Sequence, residues 1–156
     1  AKEVAQSLNT NVNNNPTAAL DPNQDLIVSN TDNYVKIMFR DDMMFETNSE
    51  NPTYAAGTKI AKITTVLQKY PNTLVQVVGH TDSRGTHAYN LALSEKRATN
   101  VGNIINSTGV QNQIFSKGCS FDKPIALNNS VANMGLNRRV EVYLYPNQQS
   151  VIDVCR

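Results

Sequence analysis

The sequence predicts an α+β fold, a two-layer α/β sandwich with helices packed on a mixed sheet. Three observations predict it. Apolar residues switch between a strand period and a helical period along the chain, so the two element types interleave. The order reads β-β-α-β-α-β-β between residues 25 and 146. The last strand follows another strand through a long loop rather than a helix, which suits a mixed sheet.

Leu26–Val28 is a short apolar run, and Asn30-Thr-Asp-Asn33 after it is turn chemistry. Val35, Ile37 and Phe39 alternate as one face of the next strand. A second apolar knot, Met43-Met-Phe45, precedes a polar loop that ends at Pro52. From there to Lys69, the spacing of Ala56, Ile60, Ile63, Leu67 and Tyr70 draws a single helical stripe, stopped by Pro71-Asn72. Leu74, Val75, Val77 and Val78 form a near-continuous apolar strand, the pattern of a central strand covered by helices. That run breaks at Gly79. The second helix spans roughly 86–106, with Leu91, Ser94, Ala98, Val101 and Ile105 on its inner stripe and Gly109 as its stop. Ile114–Cys119 reads as a short strand, residues 120–135 as a long loop, and Arg139–Tyr145 as an alternating final strand. Residues 1–24 read as an Asn-rich linker with a possible short helix at Ala1, Val4, Ala5 and Leu8. Residues 147–156 read as a polar tail.

A chain of 156 residues suits one domain with a core of its own. Its formal net charge of +1, with no basic run, argues against nucleic acid as a partner. No apolar run reaches the ~20 residues of a membrane helix, and Ala1-Lys-Glu-Val-Ala shows no signal peptide. Cys119 and Cys155 fit no metal spacing. In an oxidising compartment they can pair and close a loop worth roughly 4 kcal/mol; in a reducing one they stay free.

The stretch Val77–Ala98 delivers a polar loop from a strand to the mouth of a helix, where ligand sites tend to lie. Asn90 and Arg97 are seven residues apart, so they share a helix face about 10 Å apart along the axis. Asp82 lies in the preceding loop. Asp82 and Arg97 admit two readings: a salt bridge that fixes the loop, or a site with one anion and one cation on offer. In the second reading Arg97 forks onto a carboxylate and Asp82 takes an ammonium, the two ends of a zwitterion. Gly79 and Gly85 would let the backbone approach such a ligand. His80, Asp82 and His87 also suggest metal ligands, although three such residues without a fourth are thin as a set. His80 otherwise reads as a strand-end residue that holds the loop by hydrogen bonds. The adjacent Arg138 and Arg139 open a strand and point to opposite faces; one reaches toward the ligand loop or helices, the other faces solvent. Neither a nucleophile elbow nor a phosphate loop occurs, and no cofactor is expected.

Gly79-His-Thr-Asp82, Gly85, Asn90, Leu93-Ser94 and Arg97-Ala98 together resemble the signature of OmpA-like peptidoglycan-binding domains. Phe45, Gly118, Pro124, Asn128 and Asn137-Arg-Arg-Val140 match further landmarks in order, so the resemblance covers residues 34–145. It implies an OmpA-like β/α/β/α/β-β fold and a non-catalytic domain that binds the diaminopimelate of the stem peptide. On that resemblance Asp82 holds the ammonium and Arg97 the carboxylate, Thr81 and Asn90 support the loop, and Asn48 and Arg139 line the groove. The chain departs from the family pattern at Cys119, where an aromatic residue is usual, and at Asn133-Met134, where Gly-Arg is frequent. The resemblance also implies a periplasmic protein of a Gram-negative bacterium, tethered to the outer membrane by an upstream lipid or barrel, with peptidoglycan as its partner. A flagellar stator subunit with an upstream inner-membrane helix, a scaffold without ligand, and a metal-dependent periplasmic hydrolase built on His80, Asp82 and His87 are the alternatives.

Overall fold

The computed structural model describes residues 4, 6, 12–13, 26–31, 33–46, 49, 51–125, 127–131, 134, 137–146 and 151–155. Among the described residues six strands form one sheet: β1 (Val12–Asn13), β2 (Leu26–Asn30), β3 (Val35–Arg40), β4 (Leu74–His80), β5 (Ile114–Gly118) and β6 (Arg139–Tyr145), in the order β1-β2-β3-β6-β4-β5. The sheet is mixed. The β1–β2 and β4–β5 pairs are parallel, while β2–β3, β3–β6 and β4–β6 are antiparallel. Among the described residues three helices accompany it: α1 (Asp41–Met44), α2 (Tyr54–Leu67) and α3 (His87–Ser107).

Each long helix starts on a threonine cap. The Thr53 and Thr86 hydroxyls accept from the backbone N–H groups of Ala56 and Tyr89, both at 3.1 Å, and so satisfy a donor that has no partner inside the helix. The Thr53 hydroxyl also donates to the Met43 carbonyl at 2.8 Å, which ties α2 to the knot before it. Past α3, Gly109 takes φ +83°, a backbone angle that suits glycine at a helix stop. The α2 stripe of Ala56, Ile60, Ile63 and Leu67 is buried. Tyr70 leaves it, 47% exposed, because α2 ends at Leu67. Ile37, Phe39, Val75, Val77, Val140 and Val142 form the sheet side of that core, and Ala98, Val101 and Ile105 join it from α3.

Four local expectations change. β4 runs through Gly79 to His80 instead of breaking there. A Cβ at Gly79 would run into the Ser94 backbone, so this glycine admits α3 rather than a ligand. The stretch read as a linker contributes β1, with Val12 opposite Val28, and the buried Val4, so the folded unit begins before residue 25. Helix-type hydrogen bonds, Met134 N–H to the Ser130 carbonyl and Arg138 N–H to that of Met134, put helical turn into the stretch read as a long loop. Finally, the C-terminal tail packs. A disulfide joins Cys155 to Cys119, and Val151 and Val154 lie against Leu74, Val78, Tyr143 and Tyr145 on the sheet face turned away from the helices.

Candidate ligand-binding site

The β4–α3 loop is built by its own side chains. Asp82 Oδ1 accepts the Arg84 N–H at 2.9 Å, an Asx turn that reverses the chain. Gly85 follows with φ +86°, a conformation costly for other residues. Asn90 reaches back from the first turns of α3, and its Nδ2 donates to the carbonyls of Arg84 (2.6 Å) and Thr86 (3.1 Å). The Thr81 N–H donates to the Ser120 carbonyl at 2.9 Å, and the Ser120 N–H donates to the Ser94 hydroxyl at 3.1 Å. Ser120 itself sits at φ 53°. Thr81 and Asn90 therefore hold the loop, and the residue after Cys119 locks it to α3.

Asp82 and Arg97 are both buried, 4% and 5% exposed. Among the described residues no ion pair joins them. Oδ2 of Asp82 accepts from Arg84 Nε (3.2 Å), Arg84 Nη2 (2.8 Å) and Arg138 Nη1 (2.6 Å). Burial pushes the Asp82 carboxyl up, but the hydrogen bonds from Arg84 and Arg138 outweigh it and hold the group below the usual aspartate range. Arg97 is fixed from the other side. Its Nε and Nη2 donate to the Ser49 carbonyl at 3.2 and 3.1 Å, and its guanidinium stacks 4.8 Å from the centroid of Phe45. The knot before α2 thus supplies a floor for Arg97.

Arg138, and not Arg139, is the arginine that reaches Asp82. Arg139 points to the sheet's other face, 3% exposed, and donates to the carbonyls of Asn137 (3.0 Å) and Lys123 (2.7 Å). Arg139, expected beside the loop, lies across the sheet from it and Arg138 takes the contact with Asp82, because adjacent strand residues face opposite ways. Asn48 lies outside the described residues.

The three residues of the metal reading do not converge. His80 is buried on the far face, with Nε2 2.6 Å from Glu141 Oε1. His87 pairs with Asp122 at 3.0 Å, and Asp82 is held by arginines. Among the described residues no group of three His, Cys, Asp or Glu is arranged to hold a metal ion. The far face also carries a cavity of about 620 Å³ between the sheet and the segments 123–125 and 152–154.

Sequence reasoning missed Arg84, and of the Arg138–Arg139 pair, which it did single out, the resemblance chose Arg139 where Arg138 reaches Asp82. The signal for Arg84 was present, since an aspartate followed two residues later by an arginine and then a glycine is the pattern of an Asx turn with a cation folded back onto it. The aim of Arg138 depends on where β6 begins, which spacing alone leaves open by one residue.

Fold and site together define a class: a small α+β domain on a mixed sheet, with a rigid charged loop at the C-terminal end of a central strand. The sequence profile described as the OmpA family matches residues 44–138. The chain is 36% identical over 103 residues to "Probable lipoprotein YiaD" of Escherichia coli, covering 65% of this chain and 47% of that protein. It is 35% identical over 96 residues to a "Peptidoglycan-associated lipoprotein" of Buchnera aphidicola, covering 61% of this chain and 54% of that one. The solved cell wall anchor of the T6SS from Pseudomonas aeruginosa superposes with a TM-score of 0.72 at 28% identity, over 80% of this chain and 90% of that one. The chain belongs to the OmpA family. It spans about half the length of these two lipoproteins.

Proposed function

We propose that this domain binds peptidoglycan non-covalently and without catalysis, through the diaminopimelate of the stem peptide. The observation that carries the reading is the separate fixation of two buried, opposite charges. Asp82 and Arg97 are oriented by loop, strand and ring contacts rather than by each other. The zwitterionic end of diaminopimelate supplies the complement: its carboxylate meets the Arg97 fork and its ammonium meets Asp82. Thr81 and Asn90 keep the loop in place. Relatives named for peptidoglycan association and a cell wall anchor support the reading. The protein would then act in the periplasm of a Gram-negative bacterium, joining the outer membrane or an envelope complex to the wall through an anchor upstream of this domain.

Sacculi test it. The domain should sediment with sacculi that contain diaminopimelate and much less with sacculi that carry lysine at that position. Asp82→Ala and Arg97→Ala should each weaken the first binding at least tenfold, because each leaves a ligand charge unpaired. Folded variants that bind as wild type does would show the site to be elsewhere.

A further inference from the structure

Ser120 stands where the two faces of the sheet meet. The side chain of Cys119 before it packs on the face turned away from the helices and is bonded there to Cys155. Ser120 itself turns to the helix side, fully buried, at φ 53°. Among the described residues no other side-chain-bearing residue has a positive φ. Such a conformation persists only where the surroundings fix it.

Three hydrogen bonds fix it. The Ser120 carbonyl accepts the Thr81 N–H at 2.9 Å, its N–H donates to the Ser94 hydroxyl at 3.1 Å, and its hydroxyl donates to the His87 carbonyl at 3.1 Å. Thr81 opens the β4–α3 loop and His87 closes it, so one residue holds both ends. None of the three bonds touches Asp82, Arg84 or Arg97. The residue before Ser120 is pinned in turn. The Cys119 N–H donates to the Gly79 carbonyl at 2.9 Å, and the Cys119 carbonyl accepts the Asp122 N–H at 3.1 Å. The disulfide adds a covalent pin from the far face.

We propose that Ser120 is a positioning residue for the site of Asp82 and Arg97, and that the Cys119–Cys155 disulfide acts on that site through it. The inference rests on the reading of Asp82 and Arg97 as the diaminopimelate site. With the disulfide open, Cys119 loses its covalent pin and Ser120 relaxes from the left-handed region. Its carbonyl and N–H then leave Thr81 and Ser94. Asp82, the next residue after Thr81, loses its fixed place relative to Arg97, and the ligand must order the loop as it binds. A covalent bond on one face of the sheet thus sets affinity at the edge of the other.

Calorimetric titration with free diaminopimelate tests it on four proteins: wild type and Ser120→Gly, each oxidised and each reduced with dithiothreitol. All four are titrated at a temperature where far-UV circular dichroism shows them folded. Glycine takes a positive φ without cost, so Ser120→Gly removes the hydroxyl bond and the fixed geometry while leaving the fold intact. Reduction of wild type and the Ser120→Gly change should each weaken binding by roughly threefold or more. Reduction should then cost Ser120→Gly nothing further, because the route is already cut. Hydrogen exchange of the Thr81 amide in the free protein should quicken on reduction, while amides within α2 keep their rates. A merely structural disulfide would lower the melting temperature and leave the affinity of the folded protein unchanged, which overturns the coupling. Ser120→Gly binding as wild type does overturns the positioning role, and additive losses overturn the route through Ser120. If wild type binds no diaminopimelate, the reading of the site falls; unchanged Thr81 exchange ends the coupling alone, so the two failures are told apart.

Discussion

A methyl group at Gly79 separates two explanations of why glycine stands beside the β4–α3 loop. Its Cβ would meet the backbone carbonyl of Ser94, which cannot rotate away as a side chain can. At Gly118 a Cβ would strike the Glu95 amide nitrogen and the Ser94 hydroxyl. Both glycines let α3 lie directly on β4 and β5, and the hydroxyl of Ser94 then accepts the Ser120 N–H. Gly79→Ala and Gly118→Ala should each destabilise the domain by about 1–3 kcal/mol or more, the range for overpacking. Gly57 is the contrast. It lies within α2 with nothing within 4 Å of its Cβ position. Gly57→Ala should stabilise by roughly 0.5–1 kcal/mol, through helix propensity alone. Urea melts of the three variants check this. A Gly79→Ala protein as stable as wild type would mean that α3 shifts freely, and the tight placement of the loop would lose its support.

At the scale of elements, the C-terminal segment deserves the name of a strap. Three aliphatic residues, Val151, Ile152 and Val154, in a polar sequence make too short a pattern to reveal a packed element, so it reads as a tail. In the fold, Val151 and Val154 complete an aromatic cluster in which Tyr34 lies 5.2 Å from Tyr143 and 5.7 Å from Tyr145. Gln76 Nε2 donates to the Ile152 carbonyl at 3.0 Å, and Lys117 pairs with Asp153 at 3.1 Å. The disulfide closes a sequence separation of 36 residues, worth about 4 kcal/mol by the loop-entropy relation. Reduction, or Cys155→Ser, should lower stability by a large part of that amount. It should also speed hydrogen exchange on the far face of β4 and β6. Unchanged melts would show that the strap holds without its covalent end. The helices and the paired strands were legible because each buries a face whose period is written in consecutive residues. The strap, β1 and the direction of Arg138 were not, since they depend on register and on distant partners. At the site, Asp82, Asn90 and Arg97 stood out by loop position and helical spacing; Arg84 did not, because its docking is set by the turn.

For the whole molecule, the far face of the sheet sets the response to acid. Alternation along β6 implies one covered face, yet all seven of its residues are buried. Its outward row carries Arg139, Glu141 and Tyr143, with His80 beside it on β4 and Lys36 on β3. Glu141 Oε2 lies 3.6 Å from Lys36 Nζ and 3.7 Å from Arg139 Nε. Burial pushes Glu141 up, but Arg139, His80 and Lys36 outweigh it and hold the carboxyl well below the usual range. Burial, reinforced by Arg139, pushes His80 below its ordinary value near 6.5 in spite of Glu141. The unfolded chain therefore binds a proton on His80 at a pH where the folded chain does not. Stability from this residue is complete above about pH 6.5 and falls as the pH drops below it. Asp82 and Glu141 act in the same direction further down. Their contribution is full above the ordinary carboxyl range, about pH 4, and is lost as the pH falls toward their lowered folded values. Acid destabilisation should therefore start near pH 6.5, before Asp82 and Glu141 titrate, and steepen below about pH 4. Unfolding free energies from denaturant melts should fall between pH 7.5 and 5.5, and His80→Gln should flatten that slope. If the slope survives in His80→Gln, the buried histidine is not its source, and the far-face charges do not govern the acid response.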